Sequence, residues 1–107
     1  MSKKKNNLDI RIRNNQDAYN DGQKAVNDLT SIFSNYFNGP KDSVDLNVIS
    51  TITTSVSGFI ISDKFKDKTD DERVDMVWDL LKTHPDEKKH LSMVYVLTPE
   101  EKDDLSS

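Results

Sequence analysis

The chain has 107 residues, a formal net charge of −4, 34% hydrophobic and 32% charged side chains, and no cysteine. That length suits one small domain with a modest core and leaves no mass for a substrate cleft between two lobes. The lack of cysteine excludes a disulfide scaffold, a thiolate zinc site and a self-contained iron–sulfur site, and no apolar run reaches the roughly 20 residues that span a bilayer.

Asn6, Asn7, Asp9, Arg11 and Arg13 interrupt the region after Met1, so it has no signal-peptide core. A cytoplasmic protein with no membrane association is the expectation. The charge is uneven. Residues 1–24 carry six basic and three acidic side chains, so the remainder holds about −7. An acidic body repels a phosphate backbone.

Residues 1–16 are polar, rich in Asn and Lys, and lack apolar periodicity. They read as a flexible basic arm preceding a domain over 17–107. From about Asp21, Val26, Leu29, Ile32, Phe33, Tyr36 and Phe37 recur at steps of three and four, which predicts an amphipathic helix. Gly39-Pro40 ends it.

Val44, Leu46 and Val48 alternate with Asp45 and Asn47, which predicts a strand with one wet face. A Ser/Thr stretch from about Ser50 to Ser57 reads as its end and a loop. Gly58 to Ser62 reads as a second strand, paired with the first in a hairpin. Thr69-Asp70-Asp71-Glu72 is a capping box opening a second helix, whose apolar stripe is Val74, Val77, Trp78 and Leu81. It stops near Thr83, because His84 precedes Pro85.

Leu91, Met93, Tyr95 and Leu97 are expected on one face of a third strand, with Val94 and Val96 on the other. Apolar residues on both faces predict a covered strand. Thr98-Pro99-Glu100-Glu101 then opens a last helix, capped by Thr98 and Glu101. The order is helix, strand, strand, helix, strand, helix, an α+β pattern.

Two separated segments carry a family likeness. One is Ile61-Ser62-Asp63-Lys64-Phe65 followed by Arg73 and Val77. The other is His90-Leu91-Ser92-Met93 followed by Leu97-Thr98-Pro99-Glu100-Glu101. Together they make residues 58–101 resemble the BolA-like family.

The resemblance implies a small three-stranded mixed sheet with helices on one face, similar to a class II KH domain. It also implies a non-catalytic protein. Members pair with monothiol glutaredoxins and share a [2Fe–2S] cluster in iron–sulfur trafficking, or act as DNA-binding transcription regulators. A weak homodimer is compatible with the fold. In the cluster role the histidine that starts the third strand is a ligand, here His90.

The chain departs from the pattern in three places. The loop over 50–57, where the family has a second Cys or His ligand, has neither. Asp67 stands where the family has glycine. Val74 and Asp75 replace a basic pair after Arg73, which removes cations from a DNA-facing helix.

His90 is the first candidate metal ligand, and His84, six residues earlier, is a possible replacement for the missing one. Each also has a plain reading, His90 as a strand-edge side chain and His84 as a helix-end histidine facing the dipole. Lys64, Lys66, Lys68 and Arg73 are the candidate nucleic-acid contacts, with a salt bridge to Asp70 or Asp71 as the alternative for Arg73. Helix capping accounts for Asp70, Asp71 and Glu72, and core packing for Trp78. No nucleophile–base set, phosphate-binding glycine loop or metal box is present, so no enzyme reading arises. A protein-interaction adaptor that keeps the fold without a cluster is the remaining reading.

Overall fold

In the computed structural model, the backbone is described for residues 2–106 and the side chains for Asp17 and residues 19–106. The chain is an α+β fold. Helix α1 (Ser2–Tyr36) is followed by strands β1 (Ser43–Ser50) and β2 (Ser55–Ile61) and a 3-10 turn over Asp63–Phe65. Helices α2 (Asp70–Leu80) and α3 (Pro85–Lys88), strand β3 (Leu91–Leu97) and helix α4 (Pro99–Ser106) complete it. The three strands form one mixed sheet in the order β1-β2-β3. The order of major elements is the one expected, with α3 and the 3-10 turn added.

Helix α1 begins at Ser2 rather than near Asp21. No Pro and no Gly before Gly22 interrupts it, so nothing local stops the helix earlier. The side chains of residues 1–16, to which the reading of a flexible basic arm applied, lie outside the described residues. Ala25, Leu29, Phe33 and Phe37 are buried at steps of four, while Tyr36 stays exposed. Gly22 lets α1 approach the sheet, since a Cβ there would meet the Val48 side chain at 2.9 Å.

Strands β1 and β2 are the expected antiparallel hairpin, with Val44, Leu46 and Val48 opposite Ile60, Gly58 and Val56. Strand β2 starts earlier than the apolar run suggested. Ser55 pairs with Ser50 and Val56 is fully buried, so the loop shrinks to residues 51–54. Polar Ser and Thr disguised the first turn of a strand whose inward residue, Val56, is apolar.

Strand β3 lies parallel to β2, reached through α2 and α3. Its start carries a bulge: Val56 pairs with Leu91 and Ser57 with Met93, leaving Ser92 between. The extra residue reverses the side-chain parity. Leu91 therefore joins Val94 and Val96 on the helix-covered side, whereas Met93 and Tyr95 face outward. The sequence placed Leu91 with Met93 and Tyr95; the bulge corrects that. The covered strand is corrected too, because Met93 and Tyr95 are exposed.

The core is one cluster in which Leu29 and Phe33 of α1, Phe37 just past its end, and Val77 and Leu81 meet Leu46, Val56, Ile60 and Val96 of the sheet. Both expected capping boxes are present. Glu72 N–H donates to Thr69 Oγ1 at 3.2 Å and Thr69 N–H to Glu72 Oε1 at 2.8 Å. Glu101 N–H donates to Thr98 Oγ1 at 3.2 Å and Thr98 N–H to Glu101 Oε1 at 2.8 Å. Asp42 ties the end of α1 to the 3-10 turn, accepting from Gly39 N–H, Ser62 Oγ–H and Asp63 N–H at 3.0, 2.9 and 3.2 Å.

Asp67 sits in the left-handed region at φ 63°. An L side chain there costs conformational energy that glycine does not. Asp67→Gly is expected to stabilise the fold by about 0.5–1 kcal/mol, read as a higher urea midpoint. A lower midpoint would show that the Asp67 side chain contributes more than its backbone strain costs.

Candidate functional site

His90 links α3 to β3, and its backbone is held on both sides. Its N–H donates to Glu87 O at 3.1 Å, and its carbonyl accepts from Val56 N–H at 2.8 Å. The half-buried imidazole has Nδ1 at 3.1 Å from Thr54 O. A carbonyl only accepts, so Nδ1 carries the proton, and the neutral ring keeps its lone pair on Nε2. Thr54 is in the β1–β2 turn at φ 49°. One hydrogen bond thus joins the start of the third strand to the hairpin turn and fixes the imidazole tautomer, as an outer-shell partner does for a ligating histidine.

His90 lines a cleft of about 330 Å³ between α1 and α3, with Asp21, Lys24 and Asp28 on one wall and Asp86 and Glu87 on the other. Lys24 pairs with Asp28 at 2.5 Å, and that contact raises the Lys24 pKa. The walls carry more acid than base, which suits a cationic or metal-bearing surface brought from outside.

His84 does not share this cleft. It stands before α3 and lines a separate hollow of about 410 Å³ with Ile32, Asn35, Tyr36 and Leu80. Its Nδ1 lies 3.5 Å from Glu87 Oε1, an ion pair when the ring is protonated. Among the described residues, no three His, Asp or Glu side chains are placed to hold a metal ion. The hydroxyls of Thr53 and Ser55 beside the turn hydrogen-bond each other. The two imidazoles therefore stand in separate hollows, and His84 is not brought to His90 as a second ligand.

Lys64, Lys66 and Lys68 are exposed and interleaved with exposed Asp63 and Asp67. Lys64 Nζ lies over the Tyr36 ring, 4.9 Å from its centroid. Arg73 is apart from them in role. Its side chain is 9% exposed and its partner is neither Asp70 nor Asp71 but Glu101. Nε donates to Lys68 O at 3.1 Å and Nη1 to Val96 O at 3.2 Å. Nη1 and Nη2 also donate to the two Glu101 oxygens at 2.6 and 3.3 Å. The guanidinium is engaged in joining α2, β3 and α4.

The Arg73 hydrogen bond, with the Thr98 N–H, holds the Glu101 carboxyl down at about 2. A depressed carboxylate stabilises the fold above its unfolded pKa and loses that contribution as pH falls through the folded value. Stability is expected to drop between about pH 4.5 and pH 2. The slope there should flatten in Glu101→Gln, followed by urea midpoints across that range. Glu101 is 45% exposed, so added salt should reduce the effect.

Sequence reasoning missed the outer sheet face. Phe59 and Tyr95 stack there with centroids 5.1 Å apart, beside exposed Met93. The signal was present in the apolar residues on both faces of β3. Among the described residues, no helix is long and apolar enough to cross a membrane. No known protein family, curated protein or solved structure matches the chain.

Proposed function

We propose that the chain is a non-catalytic BolA-like binding module that presents His90 to a partner, a monothiol glutaredoxin carrying a [2Fe–2S] cluster. The observation that carries this reading is the imidazole held by Thr54 O at the lip of the α1–α3 cleft, with Nε2 left as donor. The element order and the Thr98–Glu101 cap support it. So does the left-handed backbone at Asp67, where the resembled family has glycine. The cluster is cargo here. The partner supplies its thiolates, because this chain has none.

Nucleic-acid binding is the weaker reading. The exposed lysines stand among aspartates, and Arg73 has its fork in contact with Glu101. The interaction-adaptor reading shares the docking surface and differs only in lacking the cluster bond.

Mixing the protein with cluster-loaded monothiol glutaredoxin and recording visible circular dichroism separates these. The cluster bands are expected to change with wild type and His84→Ala, and to stay as in free glutaredoxin with His90→Ala. Binding by calorimetry without a band change would replace the cluster reading with the adaptor. No binding at all would reject both.

A further inference from the structure

We propose that Asn38-Gly39, in the joint between α1 and β1, is a self-modification site, where Asn38 converts through a cyclic imide to aspartate and isoaspartate and so loosens the clasp that Asp42 makes across the joint. The inference is independent of the reading of His90.

The chemistry needs three things. A side-chain amide must precede a backbone nitrogen that can attack it, the residue bearing that nitrogen must not crowd the approach, and the backbone must be free to bring the two together. Nine asparagines are present, and Asn38 is the one followed by glycine. Without a Cβ, Gly39 leaves the approach to its nitrogen open and widens the backbone conformations available. Secondary structure decides the third condition. Asn20, Asn27 and Asn35 lie within α1 and Asn47 within β1, where hydrogen-bonded ladders fix the backbone. The asparagines at positions 6, 7, 14 and 15 are helical as well. Asn38 is exposed and lies between the two elements, beyond the last residue of α1. Its Nδ2 donates to Asn35 O at 3.1 Å, a contact at the surface. Asp21-Gly22 has the chemistry for the same ring, but it lies inside α1, which holds it helical.

The step balances with water as its one co-reactant. The Gly39 nitrogen bonds to Asn38 Cγ, the Cγ–Nδ2 bond breaks, and the hydrogen shed by the nitrogen leaves with Nδ2 as ammonia. Water then opens the imide. Attack at one carbonyl gives aspartate, and attack at the other gives isoaspartate, which adds one carbon to the backbone path.

The hydrogen that leaves is one that fastens the joint. Gly39 N–H donates to Asp42 Oδ2 at 3.0 Å. The same carboxylate accepts from Ser62 Oγ–H and Asp63 N–H, tying the end of α1 to the turn after β2. In the imide the Gly39 nitrogen has no hydrogen, so this donor is gone. Hydrolysis restores it but leaves a new anion one residue from the Gly39–Asp42 contact, where like charges repel. The added carbon of isoaspartate also shifts Gly39 away from Phe37, which is anchored in the core. Fold stability is then expected to decline as the chain ages.

The test is peptide mapping by mass spectrometry of the full folded chain after prolonged incubation at mildly alkaline pH, with urea midpoints measured on the same samples. Asn38 is expected to gain one mass unit before any other asparagine, with isoaspartate among the products, and the aged protein to unfold at lower urea than fresh protein. Asn38→Gln, whose ring would be larger and slower to close, is expected to stay unmodified and to keep its midpoint through the same incubation. Fresh Asn38→Asp carries the anion on an ordinary backbone, and its midpoint is expected to fall between those of fresh and aged wild type. An Asn38 that stays intact, or that converts no sooner than Asn47, would overturn the site. Conversion at Asn38 with an unchanged midpoint would overturn its link to the Asp42 clasp.

Discussion

Gly58→Ala is expected to destabilise the fold by about 3–4 kcal/mol or more, the largest effect of a Cβ added at any of the three glycines. A Cβ at Gly58 would stand 2.0 Å from Asp45 O and 2.9 Å from both Asp45 C and Leu46 Cα. All three are backbone atoms of the paired strand, so no rotamer change relieves the contact. Gly58 faces Leu46 in the register of β1 and Val94 in that of β3. It therefore sits in the central strand, where a displaced backbone disturbs both neighbours.

A small domain holds only about 5–15 kcal/mol in all, so the loss is a large fraction of stability. Urea denaturation followed by far-ultraviolet circular dichroism measures it. Ser57→Ala, on the outer side of the same strand, is the control and is expected to change stability by less than about 0.5 kcal/mol. A Gly58→Ala loss no larger than that of the control would contradict the close approach.

Arg73→Met is expected to cost about 2–4 kcal/mol. Methionine keeps the apolar stem but removes every donor to Lys68 O, Val96 O and Glu101. Val96 O lies in the interior, where an acceptor without a partner carries its desolvation cost. Arg73→Lys is expected to recover little, because a compact ammonium cannot reach two carbonyls and a carboxylate in one plane.

The Arg73→Met, Glu101→Gln double variant should lose less than the two single losses combined, since the second change removes a carboxylate that has already lost its guanidinium and keeps only the Thr98 N–H. Strict additivity would mean that the contact contributes nothing. Unchanged stability in Arg73→Met, with new binding to nucleic acid in wild type, would return Arg73 to a surface role.

Features set by a few adjacent residues were legible in the sequence. Thr69 with Glu72 and Thr98 with Glu101, each pair spaced by three residues, announced two capping boxes, and both are formed. The hairpin and the mixed α+β order followed from the alternation around Leu46 and the apolar stripe through Val77. What escaped depends on distant contacts. The partner of Arg73 is 28 residues away in sequence, and only the packing of α4 against β3 brings it there. The bulge at Ser92 leaves no mark in the composition of β3, yet it moves Leu91 to the core and leaves Met93 outside.

The site divides in the same way. His90 and His84 stand out as the only two histidines. That α3 sends them to different hollows, and that α1 supplies an acidic wall beside His90, follows from tertiary packing alone.

The central claim is that His90 is held through Nδ1 and offers Nε2 to a partner. Long-range proton–nitrogen correlation of the labelled protein, above the pH at which the ring is neutral, reads this directly. A protonated Nδ1 and a bare Nε2 are expected in the free chain, with strong broadening of His90 and little change at His84 on adding cluster-loaded monothiol glutaredoxin. A proton on Nε2, or a His90 signal that the loaded partner leaves untouched, would contradict it.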